Sequence, residues 1–403
     1  MTLSEELTWR GFVNQTTYKD TTVLDGEPIT FYWGVDPSAD SMHIGQLAMA
    51  LMIRRFIDHG HKAILLVGGA TGQIGDPDGK AEERQLKSLD EVDANKTGIV
   101  KQYHALFSGF NFEVVDNYDW FKDIGYLTFL RDIGKHFSMT QLLDREFVQS
   151  RIGAGGAGIS YAEFSYSLIQ GYDFLHLFRE KGVTLQVCGA DQWGNSISGV
   201  DLVRKLDGGE AHIWSAPLVI NKTTGKKFGK SEEGTIWLDE NKTSVFKFYQ
   251  FWLNADDAGV IDYLKIYTLL TPEEIERLEQ SSAANPGARE AQKVLAYEVT
   301  KLVHGDARAE QARNVTAALF GDTPFEQLLS EEIDMLALEI PVSASDNVIN
   351  ALVTSGAVAS NGEARRLIDA GAISVNGEKI TEDRDIPAPS LIKKGKNSFV
   401  LVR

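Results

Sequence analysis

Among the 403 residues there is one cysteine, Cys188. A single thiol excludes an internal disulfide framework and a thiolate zinc site. Its place in the run Leu185-Gln186-Val187-Cys188 reads as a small buried hydrophobe. Long hydrophobic runs are missing too: the longest mainly apolar stretches, such as 44–53, fall far short of a membrane span. The first residues, Met1-Thr2-Leu3-Ser4-Glu5-Glu6, lack the basic and apolar regions of a secretory signal, so the expected location is cytoplasmic, with no membrane partner. There is no repeat and no low-complexity tract. Positive charge is scarce, with 40 Lys and Arg against 57 Asp and Glu, a formal charge of −17. That balance argues against a nucleic-acid partner, because phosphate contacts need clustered Lys and Arg. Net charge is an average, however, and a local basic patch can sit on an acidic protein. Residues 341–403 carry 8 basic against 7 acidic side chains, which leaves 32 against 50 for the first 340.

What is present is ordinary soluble composition, 43% apolar and 24% charged, in a chain too long for one core. Residues 29–35 are β-branched and aromatic, and Asp36-Pro37-Ser38 ends that strand. From His43 the residues Ile44, Leu47, Ala48, Leu51 and Met52 follow helical spacing, and Gly60 closes the helix. A short apolar strand at 63–67 runs into the loop Gly68-Gly69-Ala70-Thr71-Gly72. A second helix and strand follow at 164–180 and 183–188, ending in Gly189-Ala190-Asp191-Gln192. Strand, crossover helix and strand imply an α/β fold with a Rossmann-like, doubly wound parallel sheet, whose ligands bind at the carboxyl ends of the strands. The expected catalytic domain is 1–240, with an inserted segment around 110–160. A helical domain at 241–321, an acidic linker at 322–340 and a small α+β domain at 341–403 follow. In the last of these, Ser360 and Glu363 read as a capping box, Gly371 as a helix stop and Asn376-Gly377 as a hairpin turn.

Two segments carry chemistry. His43 stands at a helix N-terminus, where free N–H groups and the helix dipole favour a phosphate; Gly45 lets a flat nucleobase approach the backbone. An isolated His in that position reads equally well as a cap. Lys226-Lys227-Phe228-Gly229-Lys230-Ser231, preceded by Lys222 and Gly225, is a glycine-containing lysine loop able to stabilise charge on a leaving polyphosphate. A lysine run alone is more often a solvated loop. On the 164–180 helix, Tyr166, Gln170 and Asp173 form a polar stripe at i, i+4 and i+7. Such a stripe on a buried helix must be hydrogen-bonded, either in an internal network or to a polar substrate.

Together, His43-Ile44-Gly45 after the first strand and the lysine loop beyond the second half of the sheet resemble the signature pair of class I aminoacyl-tRNA synthetases. Tyr32 with 36–46, the run from Val67 to Pro77, and Asp191-Gln192-Trp193-Gly194-Asn195 are similar to bacterial tyrosyl-tRNA synthetases, over residues from about 8 to the C-terminus. The resemblance implies ATP-dependent activation of L-tyrosine to tyrosyl-adenylate, followed by transfer to the terminal adenosine of tRNA. ATP enters as a substrate with Mg²⁺, and no protein-ligated metal is implied. It assigns Tyr32 and Asp173 to the phenolic hydroxyl, and Tyr166, Gln170 and Asp76 to the ammonium. Asp36 and Gln192 fall near the adenylate and the tyrosine carboxylate, Asp191 on the ribose, and Gly45, Gln46 and Ser231 on ATP. His43, Lys227 and Lys230 act on the triphosphate, and Lys80 and Arg84 belong to a loop that closes on pyrophosphate. Gln46, Trp33 and Met49 depart from the commonest pattern around the ribose. The C-terminal domain resembles a small RNA-binding fold also found in a ribosomal protein, with Arg365, Arg366, Lys379, Lys393, Lys394 and Lys396 as its basic patch toward tRNA. A homodimer is implied, with 110–160 at the dimer contact and 241–321 at the anticodon arm. The rivals are a tryptophanyl enzyme, against which Tyr32 and Asp173 argue, and a non-catalytic RNA-binding scaffold, against which His43, Lys227, Lys230 and Asp173 argue.

Overall fold

The computed structural model describes residues 1–77, 86–153, 156–231 and 234–403; of Glu146, Phe147, Lys230 and Ser231 it describes the backbone only. Lys80 and Arg84 lie outside the described residues. Two compact units emerge, one of residues 1–242 with 255–291, the other of 243–254 with 292–403. This division cuts across the boundary expected at 240, because residues 255–291 fold with the first unit.

The first unit is built on a sheet of six strands: β1 (Gln15–Thr16), β2 (Thr30–Val35), β3 (Lys62–Val67), β4 (Phe112–Asp116), β5 (Leu185–Gly189) and β6 (His212–Ala216). Their order is β1-β6-β5-β2-β3-β4, with β1 antiparallel and the rest parallel. The chain winds one way from β2 through β3 to β4 and the other way through β5 to β6. The switch point therefore lies between β2 and β5, where a crevice opens at the carboxyl ends. The centre of β2 is aromatic because both its faces are covered: Phe31 packs on Phe56 on one side, while Tyr32 packs on Phe174 on the other. The helices α1 (Ile44–Asp58), α2 (Leu89–Leu106), α3 (Tyr161–Lys181) and α4 (Trp193–Asp207) supply the cover. Phe174, Leu175 and Leu177 of α3 and Leu202 and Val203 of α4 join Tyr32, Ile64 and Leu66 in one buried cluster.

Local chemistry sets the ends of these helices. α3 begins three residues earlier than its apolar spacing indicates, because Ser160 and Glu163 form a capping box. Glu163 is fully buried and also meets Arg151 at 3.0 Å. β4, at the start of the segment around 110–160 expected as an insertion, is the edge strand of the sheet itself.

In the second unit the chain from 290 to 320 forms two helices, Glu290–His304 and Asp306–Phe320, separated at Gly305 with φ 88°. The stretch 322–340 is folded, with a helix at Ser330–Ala337 and Phe325, Met335 and Leu336 buried. Its acidic residues hid that pattern: Glu332 is itself buried and caps the helix by accepting from Leu329 N. The C-terminal sheet runs β11-β10-β12-β13-β9, from β9 (Val342–Ser343), β10 (Ile373–Val375), β11 (Glu378–Lys379), β12 (Ser390–Lys394) and β13 (Ser398–Val402); β7 (Lys230–Ser231) and β8 (Gly234–Thr235) form a separate pair in the first unit. Asn376 and Gly377 join β10 to β11 with φ of 49° and 85°, the two positive values of a type I′ turn. Ser360 caps its helix through Glu363 N, but the Glu363 carboxylate reaches back to Ala359 N, so the box is shifted by one residue. Among the described residues no helix is long and apolar enough to cross a membrane.

Candidate functional site

A cavity of about 760 Å³ opens at the switch point of the sheet. Its walls include Tyr32, Asp36, His43, Gly45, Gln46, Asp76, Tyr166, Gln170, Asp173, Asp191, Gln192 and Lys227. Twelve residues singled out in the sequence, spread over almost two hundred positions, thus face one space. Trp33 and Met49 line it as well.

One end of the cavity is lined by the buried Tyr32, Asp173 and Gln186. Asp173 is 2% exposed and accepts from Asn117 Nδ2 at 3.1 Å and Trp120 Nε1 at 2.9 Å. Burial pushes its pKa well above the usual carboxylate value, and the two hydrogen bonds only partly oppose that shift. The Tyr32 hydroxyl is buried and, among the described residues, has no hydrogen-bond partner. Burial and the field of Asp173 raise its pKa in turn. The side-chain oxygen of Gln186, which pairs in register with Tyr32 on the neighbouring strand, is likewise buried without a partner. A polar cavity end with unmet hydrogen-bonding capacity is built for an external polar group.

Further out the carboxylates are wired together. Asp36 accepts from the Thr71 hydroxyl and from the Tyr166 hydroxyl, each at 2.6 Å. Tyr166 thereby spends its proton on Asp36, and its oxygen is left to accept from a cation. Gln192 donates to Asp76. Gly68 has to be glycine here, since a Cβ would lie 2.2 Å from both the Asp36 Oδ1 and the Thr71 Oγ1. Thr71 also accepts from Asn117, whose side-chain oxygen takes Ala70 N at 2.7 Å. One hydrogen-bonded chain therefore runs from Asp173 through Asn117 and Thr71 to Asp36.

At the mouth, His43 caps α1: its Nδ1 accepts from Gly45 N at 3.0 Å, which in the neutral ring leaves the proton on Nε2. Gly45 is needed for this, because a Cβ would sit 2.8 Å from the imidazole. Gln46 completes the cap by accepting from His43 N, leaving its amide NH₂ as the donor end. The lysine loop is tied to the same place. Ile236 N donates to Gly229 O, Ile44 N donates to Ile236 O, and His43 bridges Trp237. Lys227 Nζ stands 3.8 Å from Asp191. Lys230 and Ser231 form β7, and their side chains are not described. Among the described residues no group of His, Cys, Asp and Glu is arranged to hold a metal.

Sequence reasoning missed Asn117, Trp120, Thr71 and Gln186. Asn117 directly follows a strand that reads Phe112-Glu113-Val114-Val115-Asp116, so a strand ending in a polar pair was the available signal. In the second unit, Arg365, Arg366, Lys379 and Lys396 are exposed. Lys394 donates to Ala357 O and Lys393 lies 5.3 Å over the Phe399 ring, so those two are tied into the fold.

Comparison with known proteins gives consistent findings. The family described as tRNA synthetases class I (W and Y) matches residues 24–321, and the tyrosine–tRNA ligase SYY-like C-terminal domain matches 325–403. A tyrosine–tRNA ligase 2 from Bacillus cereus is 45% identical over 100% of this chain and 99% of its own. A tyrosine–tRNA ligase from Geobacillus stearothermophilus is 45% identical over the whole of both chains. Among solved structures, a C-terminally truncated mitochondrial tyrosyl-tRNA synthetase from Aspergillus nidulans aligns with a TM-score of 0.69 at 29% identity, covering 77% of this chain and 92% of that one. A tryptophanyl-tRNA synthetase from Encephalitozoon cuniculi shares the fold, with a TM-score of 0.55 at 15% identity and coverage of 83% and 91%.

Proposed function

From the premise that this chain belongs to the class I tRNA synthetases (W and Y), we propose that it ligates tyrosine to tRNA, consuming ATP as a substrate. The full-length likeness to tyrosine–tRNA ligases carries the choice of tyrosine over tryptophan. The structural observation that supports it most directly is the buried Tyr32 hydroxyl, which has no hydrogen-bond partner among the described residues and lines the same cavity as Asp173. A phenolic hydroxyl donates to the Asp173 carboxylate and accepts from Tyr32, satisfying both.

The reaction has two steps. In the first, a tyrosine carboxylate oxygen attacks the α-phosphorus of Mg–ATP, the α–β phosphoanhydride bond breaks and pyrophosphate leaves. The magnesium ion arrives with the nucleotide. In the second, a ribose hydroxyl of the terminal adenosine of tRNA attacks the acyl carbon and AMP leaves. No side-chain nucleophile is required; the protein positions the reactants and stabilises developing charge. Tyr166, Gln170 and Asp76 hold the ammonium, with the Tyr166 oxygen turned acceptor by its bond to Asp36. Asp36 and Gln192 lie at the carboxylate and adenylate, and Asp191 and Gln46 serve the ribose. His43 Nε2–H, Lys227 and Lys230 act on the triphosphate, with Ser231 and Gly45 beside it; Lys80 and Arg84 close on pyrophosphate.

The assembly is a cytoplasmic homodimer. The exposed side chains Leu127, at 78%, and Met139, at 58%, together with the exposed Tyr126, support a contact through the segment 110–160. The helices of 241–321 serve the anticodon arm, and the C-terminal sheet domain holds tRNA through Arg365, Arg366 and Lys379, with Lys393 and Lys394 at its edge. Amino-acid-dependent ATP–pyrophosphate exchange, run with each of the twenty amino acids, tests the reading. Exchange with tyrosine alone is expected; exchange with tryptophan instead, or with none, refutes it.

A further inference from the structure

The lysine loop is anchored behind the cavity wall, to which its own Phe228 belongs. In the turn 221–229, Lys222, Lys226 and Lys227 are exposed, while Phe228 and Gly229 are buried. Phe228 lies stacked on Tyr263, with centroids 4.2 Å apart and planes 23° from parallel, and tilts against the buried Tyr267 at 6.0 Å. Its neighbour Gly229 has φ 108°, and a Cβ there would stand 2.9 Å from Ile44, the first residue of α1. The Phe228-Gly229 step is thus pinned between the helix Val260–Tyr267 and the start of α1.

Tyr263 is itself fixed on every side. Its hydroxyl donates to Asp256 Oδ1 at 2.8 Å, and the backbone at Gly259 approaches so closely that a Cβ would fall 2.5 Å from the ring. The carboxyl end of its helix is clamped from below: Arg10 donates to Lys265 O at 2.7 Å and to Leu270 O at 3.0 Å, and Arg55 donates to Thr268 O at 3.1 Å. Both arginines are buried, and burial draws the Arg55 pKa down to about 10.

We propose that Tyr263, acting through the stacked Phe228, is a positioning residue for amino-acid activation that sets where Lys227 reaches. The inference rests on the activation reading above and extends it to a residue that does not line the cavity. Lysine side chains are long and flexible, so a lysine aimed at a leaving pyrophosphate takes its precision from the backbone that carries it. A misplacement of about 1 Å in such a group lowers the rate about a hundredfold. An aromatic stack on a clamped helix holds the backbone one residue away from Lys227.

The test uses the full-length chain with Tyr263→Ala, Tyr263→Leu and Tyr263→Phe. Three quantities are read: tyrosine affinity by equilibrium dialysis, kcat and KM for tyrosine-dependent exchange, and the rate of tryptic cleavage after Lys226 and Lys227. Tyr263→Ala is expected to lower kcat about ten- to a hundredfold, with tyrosine affinity nearly unchanged and cleavage several times faster. Tyr263→Phe, which keeps the stack and loses the hydroxyl's bonds to Asp256 Oδ1 and, at 3.4 Å, to Ile220 O, should stay close to the parent in all three. If Tyr263→Ala does not fold, Tyr263→Leu against Tyr263→Phe makes the same comparison. Parental kcat in Tyr263→Ala overturns the proposal, as does a fall in Tyr263→Phe equal to that in Tyr263→Ala, or a loss of tyrosine affinity in step with kcat. Cleavage that speeds up while kcat holds shows a turn anchored by Tyr263 but idle in activation, which refutes the role of Lys227 and the positioning proposal with it. Cleavage unchanged in every variant refutes the anchor alone and leaves the activation reading standing.

Discussion

Replacing Asp173 separates substrate recognition from folding more cleanly than any other change in the cavity. Asp173→Ala removes the acceptor of two buried donors, Asn117 Nδ2 and Trp120 Nε1. Each orphaned donor costs about 1–3 kcal/mol. Against that stands a carboxylate whose pKa burial has driven well up, which means that its ionised form is strained in the folded state. Removing it relieves that strain, so the two effects on stability oppose each other, and the net change should stay within about 2 kcal/mol. Tyrosine binding has no such compensation. Its hydroxyl loses a charged acceptor, a bond contributing about 1.5–3 kcal/mol, or roughly ten- to a hundredfold in affinity. Phenylalanine has no hydroxyl to lose, so its affinity should hold or rise, and the preference for tyrosine should collapse by about the same factor. Asp173→Asn is the sharper variant. An amide offers one acceptor to two facing donors and turns an N–H toward one of them, so it should lose as much specificity as alanine. The assay is calorimetric titration of both amino acids, alongside urea unfolding of each variant. A tyrosine preference as strong as the parent's, in variants of unchanged stability, would show that Asp173 serves only the internal network with Asn117 and Trp120.

Three further outcomes follow from other parts of the fold. Gly68→Ala should reduce tyrosine-dependent exchange more than tenfold, as rough scale, because its Cβ would displace the Asp36 carboxylate and the Thr71 hydroxyl from 2.2 Å; steady-state kinetics reads this directly. Acid should destabilise the protein through His61. Its Nδ1 accepts from Ile29 N and its Nε2 donates to Leu24 O, so the folded state holds the neutral ring, and burial lowers its pKa. Because the folded value lies below the unfolded one of about 6.5, the unfolded chain alone binds the proton between them. Stability is full above about pH 6.5 and falls beneath it by up to about 1.4 kcal/mol per pH unit; His61→Gln should flatten that slope in urea midpoints measured from pH 5 to 8. A chain ending at Leu338 should retain exchange activity, since the cavity belongs wholly to the first unit. Its apparent KM for tRNA should rise, because the basic C-terminal sheet is gone, and its 292–338 helices should melt earlier, having lost Phe399 against Phe320 and Arg403 against Asp334. An unchanged tRNA KM in aminoacylation assays would remove the C-terminal domain from tRNA binding.

The residues that the sequence made legible share one property: their role is announced by neighbours within a few positions. His43 sits two residues before the glycine whose N–H it caps, and Tyr166, Gln170 and Asp173 share a helix face by spacing alone. The strands β2, β3 and β5 were readable because burial on both faces leaves mainly apolar runs. β4 was not, since it is an edge strand, half-buried and interrupted by Glu113. That single gap concealed the two donors to Asp173, because Asn117 and Trp120 follow β4 and reach Asp173 from 56 and 53 residues away. The helix at 330–337 was obscured for a related reason. Glu331, Glu332 and Asp334 count as solvent-facing by composition, yet Glu332 is 3% exposed, capping the helix and taking a bond from Asn314. Tyr263 is the extreme case. Nothing near it in the chain distinguishes it from a core aromatic; its tie to the lysine turn is a stack on Phe228, made by a helix whose carboxyl end Arg10 and Arg55 hold from sites more than 200 residues earlier. Local pattern therefore exposes the groups proposed to meet substrate, while the groups packed and bonded behind them emerge only from contacts across the fold.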